Sequence, residues 1–66
     1  MQVKLTIYNI MGQEITTLID GPREAGYSTT IWGGIDSQGR NVGSSVYFYK
    51  IDTPNYVEVR KMVLVR

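Results

Sequence analysis

Val3–Leu18, VKLTIYNIMGQEITTL, decides the fold. Its first half alternates: Val3, Leu5 and Ile7 fall on one side of an extended chain, and Lys4, Thr6 and Tyr8 on the other. That is the pattern of a strand with one wet face. Asn9–Gly12 supplies a turn, and Gly12 provides the backbone freedom that a tight reversal needs. Gln13–Asp20 then resumes as a second strand, with Ile15, Thr17 and Ile19 expected on one face.

Working outward, the rest of the chain repeats this grammar. Gly21–Gly26 closes the second strand, because Pro22 has no N–H for a ladder and the two glycines permit positive φ. Tyr27–Trp32 reads as a third strand of mixed faces, with Trp32 expected to point inward because an indole buries more apolar surface than any neighbour. A loop from Gly33 to Ser44 follows. Ser45–Ile51 is apolar on both faces and is expected to be a central strand. Asp52–Tyr56 turns around Pro54, and Val57–Arg66 is the last strand. There Val57, Val59, Val63 and Val65 share one face, and Met62 and Leu64 the other. Lys61 interrupts the valines, so a bulge or twist near Arg60 and Lys61 is expected. The reading is about five strands and no helix, and turn signals every ~8–12 residues favour a sandwich or small barrel.

The bulk numbers limit what such a chain can do. At 66 residues it is a single domain, residues 1–66, of the size that buries only about 60% of its unfolded surface. It has no Cys and no His, which excludes disulfides and argues against a structural zinc site. Seven basic and six acidic residues give a net charge of +1, too balanced for a nucleic-acid partner. No apolar run approaches the ~20 residues of a membrane-spanning helix.

The loop Trp32–Arg40, WGGIDSQGR, is the place to look for chemistry. As a phosphate cradle it lacks the Lys and the hydroxyl of a Walker loop, and a strand follows it rather than a helix. As a calcium loop it offers one carboxylate, Asp36, beside Ser37, Gln38 and Asn41, which is a poor set for a dication. The remaining reading is a turn in which the Asp36 side chain accepts backbone N–H groups and Gly39 closes the reversal. Ser44 and Ser45 have no base to activate them. Glu14, Asp20, Glu24, Asp36, Asp52 and Glu58 lie mostly at strand ends and turns, not as a facing pair. No catalytic residue, cofactor or metal ligand is assigned, and the expectation is a protein that is not an enzyme. The aromatic set of Tyr8, Tyr27, Trp32, Tyr47, Phe48, Tyr49 and Tyr56 reads mainly as core and cross-strand packing. A sugar-stacking surface would need at least two of Tyr8, Tyr27, Tyr47 and Tyr56 coplanar and exposed.

Taken in order, Ile7-Tyr8-Asn9 with Gly12, Trp32-x-Gly34-x-Asp36-x-x-Gly39, Val46-Tyr47 and Lys61 near a basic terminus form a pattern covering nearly the whole chain. It resembles the C-terminal sorting domain of the type IX (Por) secretion system, and equally the related Ig-like domain named after the flagellar hook-capping protein. The chain departs from that pattern at Gly33, where the family has Asp or Asn, and at Ser45, where it has Gly. The first departure removes a side-chain turn partner. The second leaves either a strained positive φ or simply extended chain.

The resemblance implies an all-β fold, an Ig-like antiparallel β-sandwich of about five strands, at the C-terminus of a larger secreted or cell-surface protein exported through the periplasm. Its implied partners are the secretion machinery and an upstream domain of the parent chain. Lys61, Arg66 and the final strand are the recognition candidates; Trp32, Gly34, Asp36, Gly39 and Tyr47 are the turn and core residues. A structural spacer packing on the upstream domain is the alternative, and a carbohydrate-binding module is a third. The family carries a further strand upstream of the Ile7-Tyr8 strand. An N-terminal strand is therefore expected to be lacking here, leaving an open edge through which copies of the chain would self-associate.

Overall fold

The computed structural model describes residues 1–23 and 31–65. The described residues form an all-β structure without helices: β1 Gln2–Tyr8, β2 Glu14–Pro22, β3 Ser45–Asp52 and β4 Val57–Leu64. All pairings are antiparallel, in one open sheet of order β2-β1-β3-β4. β1 and β3 are interior, and β2 and β4 are the edges.

Register sorts the side chains onto two faces, because directly opposed residues in an antiparallel pair point the same way. Leu5 opposes Ile51 and Ile7 opposes Tyr49, while Tyr47 opposes Met62 and Ser45 opposes Leu64. These residues make the inner face, and Ile7 (2% exposed) and Tyr47 (5%) are its buried centre among the described residues. The outer face carries Lys4, Thr6 and Tyr8 of β1, Phe48 and Lys50 of β3, and Val57, Val59, Lys61 and Val63 of β4. Thr6 lies in register between Thr17 and Lys50 and is buried.

The central position of β3 agrees with its apolar character on both faces. Other expectations need correction. β2 runs on through Gly21 and Pro22, where a break was expected. Pro22 is tolerated because it ends an edge strand, opposite Gln2. Ile15, Thr17 and Ile19 do not share a face. The register with β1 shifts between Leu5 and Thr6 and again between Ile7 and Tyr8, so Ile19 opposes Leu5 while Thr17 opposes Thr6. Each shift is a bulge that inserts one extra β2 residue and turns the faces over. No bulge occurs near Arg60 and Lys61: β4 pairs with β3 without interruption from Val57 to Leu64. The expected strand at Tyr27–Trp32 lies largely outside the described residues, and Ile31 and Trp32, which are described, are not in a strand.

The hairpin between β3 and β4 is closed by Thr53. Its N–H donates to the Tyr56 carbonyl at 2.9 Å, and its hydroxyl oxygen accepts the N–H groups of Asn55 (3.2 Å) and Tyr56 (3.1 Å). Thr53 is thereby buried, while Pro54 stands in solvent, where its missing N–H costs nothing.

Candidate functional site

The loop after Ile31 is built around the Trp32–Tyr47 pair. The indole meets the Tyr47 ring edge-on, with centroids 5.1 Å apart and planes at 71°, the arrangement the ring quadrupoles favour. Its Nε1–H donates to the Ile35 carbonyl at 2.8 Å, so both ends of the indole are engaged. Trp32 is half-buried rather than enclosed. To bring Ile35 back under the indole the chain reverses at Gly34, which is buried and has φ of +73°, a conformation that side chains disfavour. The Tyr47 hydroxyl donates to the Gly43 carbonyl at 2.7 Å, and the Val42 N–H donates to the Gly34 carbonyl at 3.0 Å. Gly33 has no positive φ, and a Cβ there would meet nothing within 4 Å, so its departure from the family pattern is not forced by geometry. Ser45 opens β3 in extended conformation, which resolves its departure as well.

The Asp36–Arg40 turn forms as the sequence indicated. Asp36 Oδ1 accepts the N–H groups of Gln38 (2.9 Å) and Arg40 (3.0 Å), and Gly39, at φ +80°, donates its N–H to the Asp36 carbonyl at 3.1 Å. Arg40 Nε donates to Asp36 Oδ2 at 3.0 Å. The Arg40 N–H, followed by the Gln38 N–H and the Arg40 guanidinium, holds the Asp36 carboxyl below its ordinary value of 3.8 against a smaller opposing effect of desolvation. Both oxygens are thus committed within the turn, and the nearby cation is folded back onto them. Ser37 N–H donates to the Ile15 carbonyl at 3.0 Å and ties the turn to β2.

A second turn has the same bonding. Asn9 Oδ1 accepts the N–H groups of Met11 and Gln13, each at 2.9 Å, and Gly12, at φ +80°, donates its N–H to the Asn9 carbonyl at 3.0 Å. Asn9 Nδ2 reaches Gln13 Oε1 at 2.8 Å, where Asp36 has Arg40. Both are type I turns completed by a left-handed glycine. Sequence reading found the turn at Asn9–Gly12 but not that Asn9 organises it. The shared signal is Asn or Asp followed three residues later by Gly.

Lys61 sits at the middle of β4, opposite Phe48, exposed on the outer face between Val59 and Val63. Arg60 points to the inner face and is held by Glu58, with contacts of 2.6 and 2.9 Å to Oε1 that raise the Arg60 pKa. No ion pair engages Lys61 among the described residues. Arg66 lies outside the described residues. The sequence-derived set therefore separates into two places: Trp32, Gly34, Asp36 and Gly39 lie in one folded loop that packs on Tyr47 of β3, and Lys61 stands apart on the edge strand.

Other surfaces offer little chemistry. A shallow, open depression of about 290 Å³ is lined by Gln2, Lys4, Asp20, Asp52, Thr53 and Pro54, with Lys4 in register between the two aspartates. Tyr47 is buried and Tyr8 is half-buried beside the β1–β2 turn, whereas Tyr56 lies at the other end of the sheet. The described tyrosines therefore do not form the coplanar exposed pair that sugar stacking requires; Tyr27 lies outside the described residues. No group of three or more acidic side chains is arranged to hold a metal among the described residues, and no helix among them is long and apolar enough to cross a membrane. Comparison with protein-family models, curated proteins and solved structures finds no match to this chain.

Proposed function

We propose that this chain is a non-catalytic, Ig-like C-terminal module of a secreted bacterial protein, read by the type IX export machinery as a sorting or anchoring signal. The observation that carries this reading is the order and spacing of its motif residues, and those same residues build the local structure. Asn9 and Gly12 make one turn, Asp36 and Gly39 the other, and Trp32, Gly34 and Tyr47 the folded loop. Lys61 is exposed on β4 at a sheet edge, where a partner can reach it. In this reading the described sheet is one layer of the sandwich.

A reporter fused to residues 1–66 in a type IX-competent bacterium tests it. Export to the surface or medium that is lost on Lys61→Ala, or on deleting β4, is the expected result. A reporter retained in the periplasm with the intact module overturns the reading. A structural spacer packing on an upstream domain is the second reading. The exposed valines of β4 favour it, since a neighbouring domain would cover them.

A further inference from the structure

The two edges of the sheet are unlike. β2 is interrupted by two register shifts, ends in Pro22, and has its Ile15 carbonyl taken by Ser37. These devices block the addition of another strand. β4 has none of them: it is 8 residues long, without proline and in unbroken register with β3.

The hydrogen-bonding parity of β4 follows from its hairpin. Thr53 and Tyr56 face each other across the turn, so alternation makes Ile51/Glu58, Tyr49/Arg60 and Tyr47/Met62 the hydrogen-bonded rows. The N–H and C=O groups of Val57, Val59, Lys61 and Val63 then point to the open edge. These residues also form the outer-face stripe, and with Val65 it reads Val-Val-Lys-Val-Val, the same in both directions about Lys61. The four valines are 57%, 59%, 65% and 81% exposed.

A stripe that maps onto itself under a two-fold rotation is what an isologous interface requires. We propose that β4 is a self-association edge: two copies of this chain pair antiparallel through β4 about an axis at Lys61. Val59 then faces Val63 of the other copy, Val57 faces Val65, and outward backbone groups bond across the junction. Lys61 faces Lys61, and this like-charge contact keeps the pairing weak. On the inner face Arg60 comes opposite Met62 and can lay its stem along that side chain.

Sedimentation velocity on the purified 66-residue chain, run as a concentration series, tests this independently of export. Lys61→Glu alone retains a like-charge contact and associates as weakly as the unaltered chain. A 1:1 mixture of the two sets Lys opposite Glu and associates about tenfold more tightly than either parent. A mixture no tighter than its parents overturns the proposal. Lys61→Thr keeps strand propensity while removing the charge, and tightens self-association by about two- to five-fold. Lys61→Thr that is folded by circular dichroism yet associates no more than the unaltered chain also overturns it. Val59→Lys abolishes association in every combination.

Discussion

Asn9–Gln13 and Asp36–Arg40 make the same backbone turn with the same pattern of side-chain acceptance, yet the molecule uses them differently. The Asn9 turn caps the β1–β2 hairpin and holds Ile10 (67% exposed) and Met11 (74%) out in solvent. The Asp36 turn lies inside a longer loop, bonded to β2 through Ser37 and backed by the Trp32–Tyr47 pair. Turn geometry here is local: an oxygen three bonds from Cα at the first position and a glycine at the fourth suffice. Anchoring is not local, and comes from residues distant in sequence. The charge on Asp36 adds an ion pair with Arg40 that the neutral Asn9 replaces with an amide contact to Gln13.

The largest expected effect removes the anchor and leaves the turn. Trp32→Ala costs about 3 kcal/mol in urea unfolding, the low end for tryptophan truncation because the side chain is half exposed. Amide exchange at Ser37 accelerates in that variant, while exchange at Met11 relative to global stability does not. Equal acceleration at both would break the distinction between local geometry and distant anchoring.

Next come the two glycines. Gly12 and Gly39 share a φ of +80°, and a Cβ at either meets nothing within 4 Å. Gly12→Ala and Gly39→Ala therefore each lose about 1–2 kcal/mol from backbone strain alone. Thermal denaturation of the pair should give matching losses, and a clear inequality would show that one turn depends on its surroundings for its shape.

The smallest effect separates charge from geometry. The Asp36 carboxyl is held below 3.8 in the folded chain, so its ionised form stabilises the fold at pH above that value. The contribution is lost as pH falls through the depressed folded value. Asp36→Asn keeps the acceptor for Gln38 and Arg40, changes the midpoint little at neutral pH, and flattens the acid limb of a stability–pH curve. The Asn9 turn, having no such group, adds nothing to that limb.

Much of this was legible in the sequence. The alternation of β1 and β4 survives because neither pattern is interrupted: Val3, Leu5 and Ile7 face one way, and β4 keeps step with β3 despite Lys61. β2 was misread because its bulges shift the phase. The signal was present, since Ile15, Leu18 and Ile19 cannot all be satisfied by strict alternation. The Asp36 turn was readable from Asp and Gly at the correct spacing. Its kinship with the Asn9 turn was hidden because Ile10-Met11 and Ser37-Gln38 have no property in common. The contact between Ser37 and Ile15 could not be read at all, because it depends on where the loop lands rather than on any residue type. Lys61 stands out in the sequence as an interruption of the valines and, through the resemblance, as a recognition candidate; its place on an exposed edge depends on the strand order of the sheet.

The packing of Trp32 on Tyr47 also makes the chain its own optical gauge. It holds a single tryptophan, whose indole lies 5.1 Å from a tyrosine ring and is bonded to its own loop through Ile35. Light absorbed by Tyr47 passes to Trp32 at that separation, added to what the other four tyrosines of the chain transfer, so indole emission responds to the packing around the pair. Opening of the loop, docking of another surface over it, or unfolding of the sheet each alters one fluorescence signal without any added label.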